Sequence, residues 1–279
     1  MPHALSQPLS RPSSSVSLSL DSSQLAGQYD VLSDHQFANG QSLAAELGIR
    51  EGHRVLDVGA GTGRLAEHLA RLAGSPRAVA AIDPLPLRIA LARQRLGPEF
   101  RLEVGVAEDL SAFPDAAFDR VIFNAVFHWI PDQPAALREA ARVLKPGGRV
   151  GITTGDRNSP NAFQIITSRV LAAPPFDHAS ATDWLPYRVD ADQLRALLQA
   201  AGFAPELLDL RTSMDHFPTA EALFAFNDAS SFGNFMKELP SHQVAAARQA
   251  IAGELESLRD GQGLALRHHT LFAVARKTD

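Results

Sequence analysis

The chain contains no cysteine, which excludes disulfides, zinc–thiolate sites and thiol nucleophiles. That absence does not fix a compartment, so a reducing cytoplasm is the default expectation. Positive charge is not in excess: 26 Lys and Arg stand against 31 Asp and Glu, a formal net charge of -5. Nucleic-acid affinity rests largely on clustered Lys and Arg, so no nucleic-acid partner is expected. No apolar run is long enough to span a bilayer, and no internal repeat is visible. The start of the chain lacks the apolar stretch of a secretory signal. Residues 1–23 are instead rich in Ser and Pro, with Asp21 their only acid. That composition fits a disordered tail; a transit peptide, also Ser-rich and acid-poor, is the other reading.

What is present is ordinary for a globular protein. The 279 residues are 45% hydrophobic and 20% charged, enough to bury a sizeable core. The length suits one large domain, or one with a lid, as a monomer or homodimer.

The hydrophobic pattern is helical over 24–47, ending at Gly48. Strands and helices then alternate. Strands are predicted at 54–58, 78–83, 100–106, 118–124 and 149–154. Helices are predicted at 64–72, with Leu65, Leu69 and Leu72 on one face, at 84–96 and at 133–144. Pro86 lies near the start of the second, where a missing N–H does no harm. Lys145-Pro146-Gly147-Gly148 stops the third. Continuous apolar strands alternating with helices predict a parallel sheet covered on both faces.

After Thr154 the rhythm breaks. Residues 156–189 hold four prolines and several aromatics. Asp190 and Gln193 form a capping box for a helix that Gly202 ends. A strand follows at 203–212, residues 217–260 are mostly helical, and 264–276 closes as a strand. The segmentation is thus a tail (1–23), an N-terminal helical segment over a ligand site (24–50), a core (51–155), a lid insertion (156–189), a core helix and strand (190–216), a second lid insertion (217–262) and a final core strand (263–279).

Chemistry concentrates in Val55-Leu56-Asp57-Val58-Gly59-Ala60-Gly61-Thr62-Gly63. Glycines let the backbone turn sharply and touch a ligand, and the next helix points free N–H groups at that spot. Asp83, at the end of the second strand, can accept both hydroxyls of a ribose. These features also suit a nicotinamide dinucleotide, since Gly61, Gly63 and Ala66 read as G-x-G-x-x-A. Asp57 discriminates: an acid there would repel a pyrophosphate but can orient the loop or face an ammonium.

Four ordered segments extend this signal: residues 55–63, Ala81-Ile82-Asp83-Pro84, Gly105-Val106-Ala107-Glu108-Asp109-Leu110, and residues 118–129 followed by Arg142-Val143-Leu144-Lys145-Pro146-Gly147-Gly148. Together they resemble class I S-adenosylmethionine-dependent methyltransferases of methyltransferase type 11, the group that includes ubiquinone/menaquinone and trans-aconitate methyltransferases. The resemblance covers about residues 28–155. It implies an α/β, Rossmann-like seven-stranded sheet with the last strand antiparallel, helices on both faces and a helical lid from the two insertions. It implies S-adenosylmethionine as cofactor. Gly59, Gly61 and Gly63 would form the loop, with Asp57 beside it. Asp83 and Pro84 would meet the ribose, Ala107 and Glu108 the adenine, Asn124 the methionyl group, and Tyr29 would fold over the cofactor. Val106 departs from the Asp found there in many relatives. Other readings stay open: Asp83 as a plain helix cap, Glu108 as merely solvated, Tyr29 as packing only.

His128, just beyond the fourth strand, is the candidate catalytic residue, since an unperturbed imidazole is a base near neutrality; a structural role is the alternative. Trp129, Trp184, Tyr187, Phe224 and Phe232 join it as a candidate pocket for a small, mainly apolar substrate, or serve as a lid core of their own. Arg157, His178, Arg188, Arg211 and His216 are secondary candidates. No metal triad stands out, so metal-independent in-line transfer to O or C is expected. Two rivals remain: a nicotinamide-dependent oxidoreductase, and a non-catalytic or cyclase-type protein on the same fold.

Overall fold

The computed structural model describes residues 16–176 and 187–278. Two helices come first, α1 (Ser23–Leu32) and α2 (Asp34–Glu46). The single helix expected over 24–47 is broken at Ser33, which caps one helix and starts the next at φ -94, ψ 29. Ser and Asp compete for backbone hydrogen bonds, which favours such a break at Ser33-Asp34.

The alternating region follows the predicted order: β1 (Val55–Val58), α3 (Arg64–Ala73), β2 (Val79–Asp83), α4 (Pro86–Leu96), β3 (Arg101–Val104), β4 (Phe118–Asn124), α5 (Gln133–Val143) and β5 (Leu144–Gly155). Helix α6 (Ala162–Leu171) comes next. Helix α7 (Ala191–Ala200) carries the Asp190–Gln193 capping box, and β6 (Phe203–Phe217) follows. Helices α8 (Ala220–Ser230) and α9 (Ser241–Leu255), a two-residue β7 (Arg259–Asp260) and β8 (Gly263–Lys277) complete the chain.

The main sheet runs β3-β2-β1-β4-β5-β8-β6, with β7 paired to β8. The first five strands are parallel, and β8 is antiparallel to both β5 and β6. The parallel sheet expected from the pattern is present, and its reversed last strand is the one the resemblance implies. Side-chain alternation builds the two faces. Leu56, Val58, Ala80, Ile82, Val121 and Phe123 pack with α5 and α7 on one side. Val55, Val79, Ala81 and Ile122 pack with α2, α3 and α4 on the other. Period-two burial on both faces is why these strands read as unbroken apolar runs.

Two departures matter for the site. Strands β6 and β8 are fifteen residues each. Pairing of β8 with β5 ends at Thr270, while residues 265–269 continue on β6 alone and Leu264 also meets Arg259 of β7. A two-stranded ribbon therefore rises past the sheet edge. Second, aromatics of the two segments expected to form a lid, Phe163, Phe224, Phe226 and Phe235, pack with Leu223, Ile251 and Leu255 into a separate apolar cluster. Among the described residues no helix is long and apolar enough to cross a membrane.

Candidate active site

Strand order reverses between β1 and β4, and the crevice beyond their carboxyl ends is where open α/β sheets hold ligands. The glycine loop leaves β1 at that point. Gly59 has φ +76, and a Cβ there would come within 2.3 Å of Val126 Cγ2. Only glycine fits, because both the dihedral and the close approach forbid a side chain. Gly61 donates its N–H to Asp83 Oδ2 at 2.8 Å, and Leu85 donates to Oδ1 at 2.9 Å. Asp83 is thus no helix cap, since α4 is capped at Leu85. It staples the loop to the end of β2. Burial raises its pKa, against the pull of these two N–H donors.

Asp57 is 1% exposed and its Oδ2 has no hydrogen-bond partner. Burial and, secondarily, the Asp83 charge push its pKa up to about 7. It lines a small chamber with Tyr29, Gln36, Gly59, Gly61 and Asn124. Gln36 Oε1 is a second buried acceptor without a donor. Asn124 bridges the chamber wall: its Nδ2 donates to the Gln36 carbonyl at 2.9 Å, and its Oδ1 accepts from Thr153 at 2.7 Å. The arrangement offers two unspent acceptors to a ligand that brings N–H donors.

The chamber opens into a larger cavity, walled by Asp83 and Arg88 at one end. The rest of its lining mixes polar side chains, among them His128, Asp156, Asn161, Gln164, Arg188 and His268, with the aromatic Trp129, Phe226 and Phe232. Of the residues expected in an apolar substrate pocket, His128, Trp129 and Phe232 line this cavity. Phe224 packs in the lid cluster instead, because the lid helices need a core of their own. Tyr187 is outside the cavity lining, its carbonyl accepting from Gln133 Nε2 at 2.7 Å. Trp184 and His178 lie outside the described residues.

His128 sits on a 3-10 turn (Phe127–Trp129), with Nδ1 3.1 Å from Thr154 Oγ1. Burial, and then the Arg188 cation, push its pKa down to about 3. The expectation of a neutral-range base is therefore altered: this imidazole stays uncharged and is a weak base. Across the cavity His268 Nε2 lies 3.2 Å from Asp215 Oδ2. His35 stacks on His268 with ring centroids 4.6 Å apart, and its Nε2 accepts from Asn39 Nδ2 at 3.0 Å. Sequence reasoning missed this group. His35 is on α2, Asp215 on β6 and His268 on β8, and only the ribbon brings them together.

Other candidates are placed elsewhere. Gly63, Pro84, Ala107 and Glu108 stand outside the cavity lining. Ala107 is buried, and Glu108 Oε1 accepts from the Asp132 N–H at 3.4 Å. Arg157 donates to the Arg188 carbonyl. Arg211 pairs with Glu46 at 2.6 Å, and His216 lies 3.1 Å from Asp260; both are surface pairs. Among the described residues no group of three or more His, Cys, Asp or Glu is placed to hold a metal ion.

A parallel sheet with a reversed last strand, a glycine loop at its switch point and an acid closing β2 define the class I methyltransferase fold. Residues 56–152 match the family described as a methyltransferase domain. The chain is 29% identical over 210 residues to the ubiquinone/menaquinone biosynthesis C-methyltransferase of Cellvibrio japonicus, covering 68% of this chain and 78% of that protein. It is 40% identical over 118 residues to the ubiquinone biosynthesis O-methyltransferase of Xanthomonas oryzae pv. oryzae, covering 41% of this chain and about half (47%) of that protein. The fold is shared with the Burkholderia thailandensis 1,6-didemethyltoxoflavin-N1-methyltransferase, crystallised with 1,6-didemethyltoxoflavin and S-adenosylhomocysteine: TM-score 0.53, 21% identity, 99% of this chain and 94% of that one. Residues 56–152 form a methyltransferase domain, and the fold is that of class I S-adenosylmethionine-dependent methyltransferases.

Proposed function

We propose that the protein transfers the methyl of S-adenosylmethionine to a small polar acceptor carrying an O–H or N–H group. The observation that carries the donor half is Asp57 Oδ2, a buried acceptor with no partner beside the glycine loop. With Gln36 Oε1 it suits the ammonium of a methionyl group. Asp83, held by Gly61 and Leu85, has carboxylate lone pairs left for ribose hydroxyls. Tyr29 lines both chambers and covers the loop.

Bound S-adenosylmethionine supplies an activated methyl group on a sulfonium. The chain's own residues must then place the acceptor in line and exclude water, the main source of rate in such a transfer. Neutral His128, Asn161, Gln164 and Arg188 offer hydrogen bonds to aim a polar acceptor. His268, with Asp215 beside it, is the imidazole placed to take the acceptor's proton; a neighbouring carboxylate stabilises the imidazolium that results. No residue in this scheme is assigned to a metal.

Thermal shift with S-adenosylmethionine, S-adenosylhomocysteine and NADH tests the donor half. Stabilisation by the first two alone is expected, since a ligand that binds only the folded state raises its apparent stability. Stabilisation by NADH alone would return the protein to the oxidoreductase reading.

A further inference from the structure

Arg88 is 2% exposed and lies in the first turn of α4. A cation is poorly placed there, because the helix N-terminus carries partial positive charge. It is also out of water, so it needs compensation. Asp21 supplies it from outside the core: Arg88 Nε and Nη2 each lie 3.3 Å from an Asp21 carboxylate oxygen. The Asp21 side chain is 3% exposed. Nη2 also donates to the Ala229 carbonyl at 2.8 Å, near the negative end of α8. The guanidinium is sandwiched between the Tyr29 ring at 4.5 Å and the Phe232 ring at 4.7 Å.

One side chain therefore joins the N-terminal segment, α1, α4 and the lid turn after α8. The neighbouring contacts hold Asp21 in place. The Ser17 N–H donates to Asn234 Oδ1, and Asn234 Nδ2 donates to the Ser17 carbonyl, both at 2.9 Å. A Cβ on Gly233 would press on the Leu20 carbonyl at 3.1 Å, so the two segments are in direct contact. Arg88, Tyr29, Phe232 and Asp83 all line the cavity that reaches the glycine loop.

Resting on the S-adenosylmethionine reading above, we infer that Arg88 is a cofactor-positioning residue. It holds Tyr29 and Phe232 over the donor, and Asp21 is the counter-charge that lets a cationic donor sit beside it. The physical reason is the sulfonium. S-adenosylmethionine carries one positive charge more than S-adenosylhomocysteine, and a guanidinium without its counter-charge in the same cavity would repel it. Neutralised by Asp21, the guanidinium supplies its flat face and donors without that field.

The test is isothermal titration of the full chain with S-adenosylmethionine and with S-adenosylhomocysteine, read as the ratio of the two Kd values. Asp21→Asn removes the carboxylate paired with Arg88, leaving only the more distant charge of Asp83, and should weaken the methionine form at least about fivefold more than the homocysteine form. Arg88→Met leaves Asp21 alone and should move the ratio the opposite way. The double variant should return to the unsubstituted ratio. If one single variant fails to fold, the sign of the other still decides. Ratios unchanged in the folded variants, even with a lower Tm, would make the pair a structural brace and overturn the inference. An unsubstituted protein that binds neither compound would remove the cofactor reading and this inference with it.

Discussion

The backbone N–H of Gly61 and the carboxylate of Asp83 are joined at 2.8 Å, so the glycine loop and the end of β2 move as one unit. A ligand touching both meets a preformed surface rather than two loops it must order. Asp83→Ala should leave the Gly61 and Leu85 donors unsatisfied in a buried site. That costs about 2–4 kcal/mol of stability, from the penalty for each lost partner, and abolishes cofactor binding. Chemical denaturation and calorimetry would measure the two losses separately.

Gly59 has no substitute. Gly59→Ala imposes the strained φ of +76 on a residue with a Cβ and drives that Cβ into Val126. A loss of at least about 2 kcal/mol is expected from strain alone, with cofactor affinity lost as well. A Tm and cofactor affinity close to those of the unsubstituted protein would contradict the loop geometry.

Asp57 makes cofactor affinity depend on pH. Its folded pKa is raised to about 7, above the ordinary 3.8. The folded state therefore binds the extra proton between those values, and the ligand-free protein loses stability as pH rises through 7. A cation beside Asp57 needs the carboxylate form. The affinity for S-adenosylmethionine should thus fall by up to about tenfold per pH unit below 7. Asp57→Asn should bind more weakly at pH 8 and show a flatter profile. Titration at pH 6, 7 and 8, about the range in which this group changes charge, checks both.

His128 predicts an effect of opposite sign on stability. Its folded pKa is lowered to about 3, so the unfolded state binds the proton first as pH falls below the ordinary 6.5. Its contribution to stability is complete above 6.5 and is lost as pH falls towards 3. His128→Gln should therefore lose less stability on acidification than the unsubstituted protein does. Denaturation midpoints measured across that range decide it.

The proton-accepting role belongs to His268 in this scheme. With an acceptor in hand, His268→Asn should lower kcat by about 10²–10⁴, the usual contribution of a positioned base, with little change in S-adenosylhomocysteine affinity. Asp215→Asn should lower kcat less, because the imidazole remains. If His268→Asn leaves kcat intact and His128→Gln removes it, the roles of the two histidines are reversed.

Sequence alone was enough for the sheet core. Val55–Val58 and Val79–Asp83 are buried on both faces and apolar except for Asp57 and Asp83, and the glycines at 59, 61 and 63 mark a turn that lets a backbone approach a ligand closely. Local periodicity and turn chemistry carry that information, so the order of elements and the position of Asp57 and Asp83 were legible. The break at Ser33 was less so, since Ser33 and Asp34 lie within one continuous helical pattern.

What only the tertiary structure decided is the company each side chain keeps. His128 has the same sequence signal whether its pKa is ordinary or far below; burial and Arg188 made the difference. Phe224 shows the same helical spacing whether it faces substrate or a lid core. Asp21 with Arg88, His35 with Asp215, and His35 with His268 meet across 67 residues or more. No local pattern encodes a pair that distant, because the charges are brought together by chain crossings and not by period. The glycine loop and its acids were therefore written in the sequence, while the rest of the cavity lining was set by which distant elements the fold laid against it.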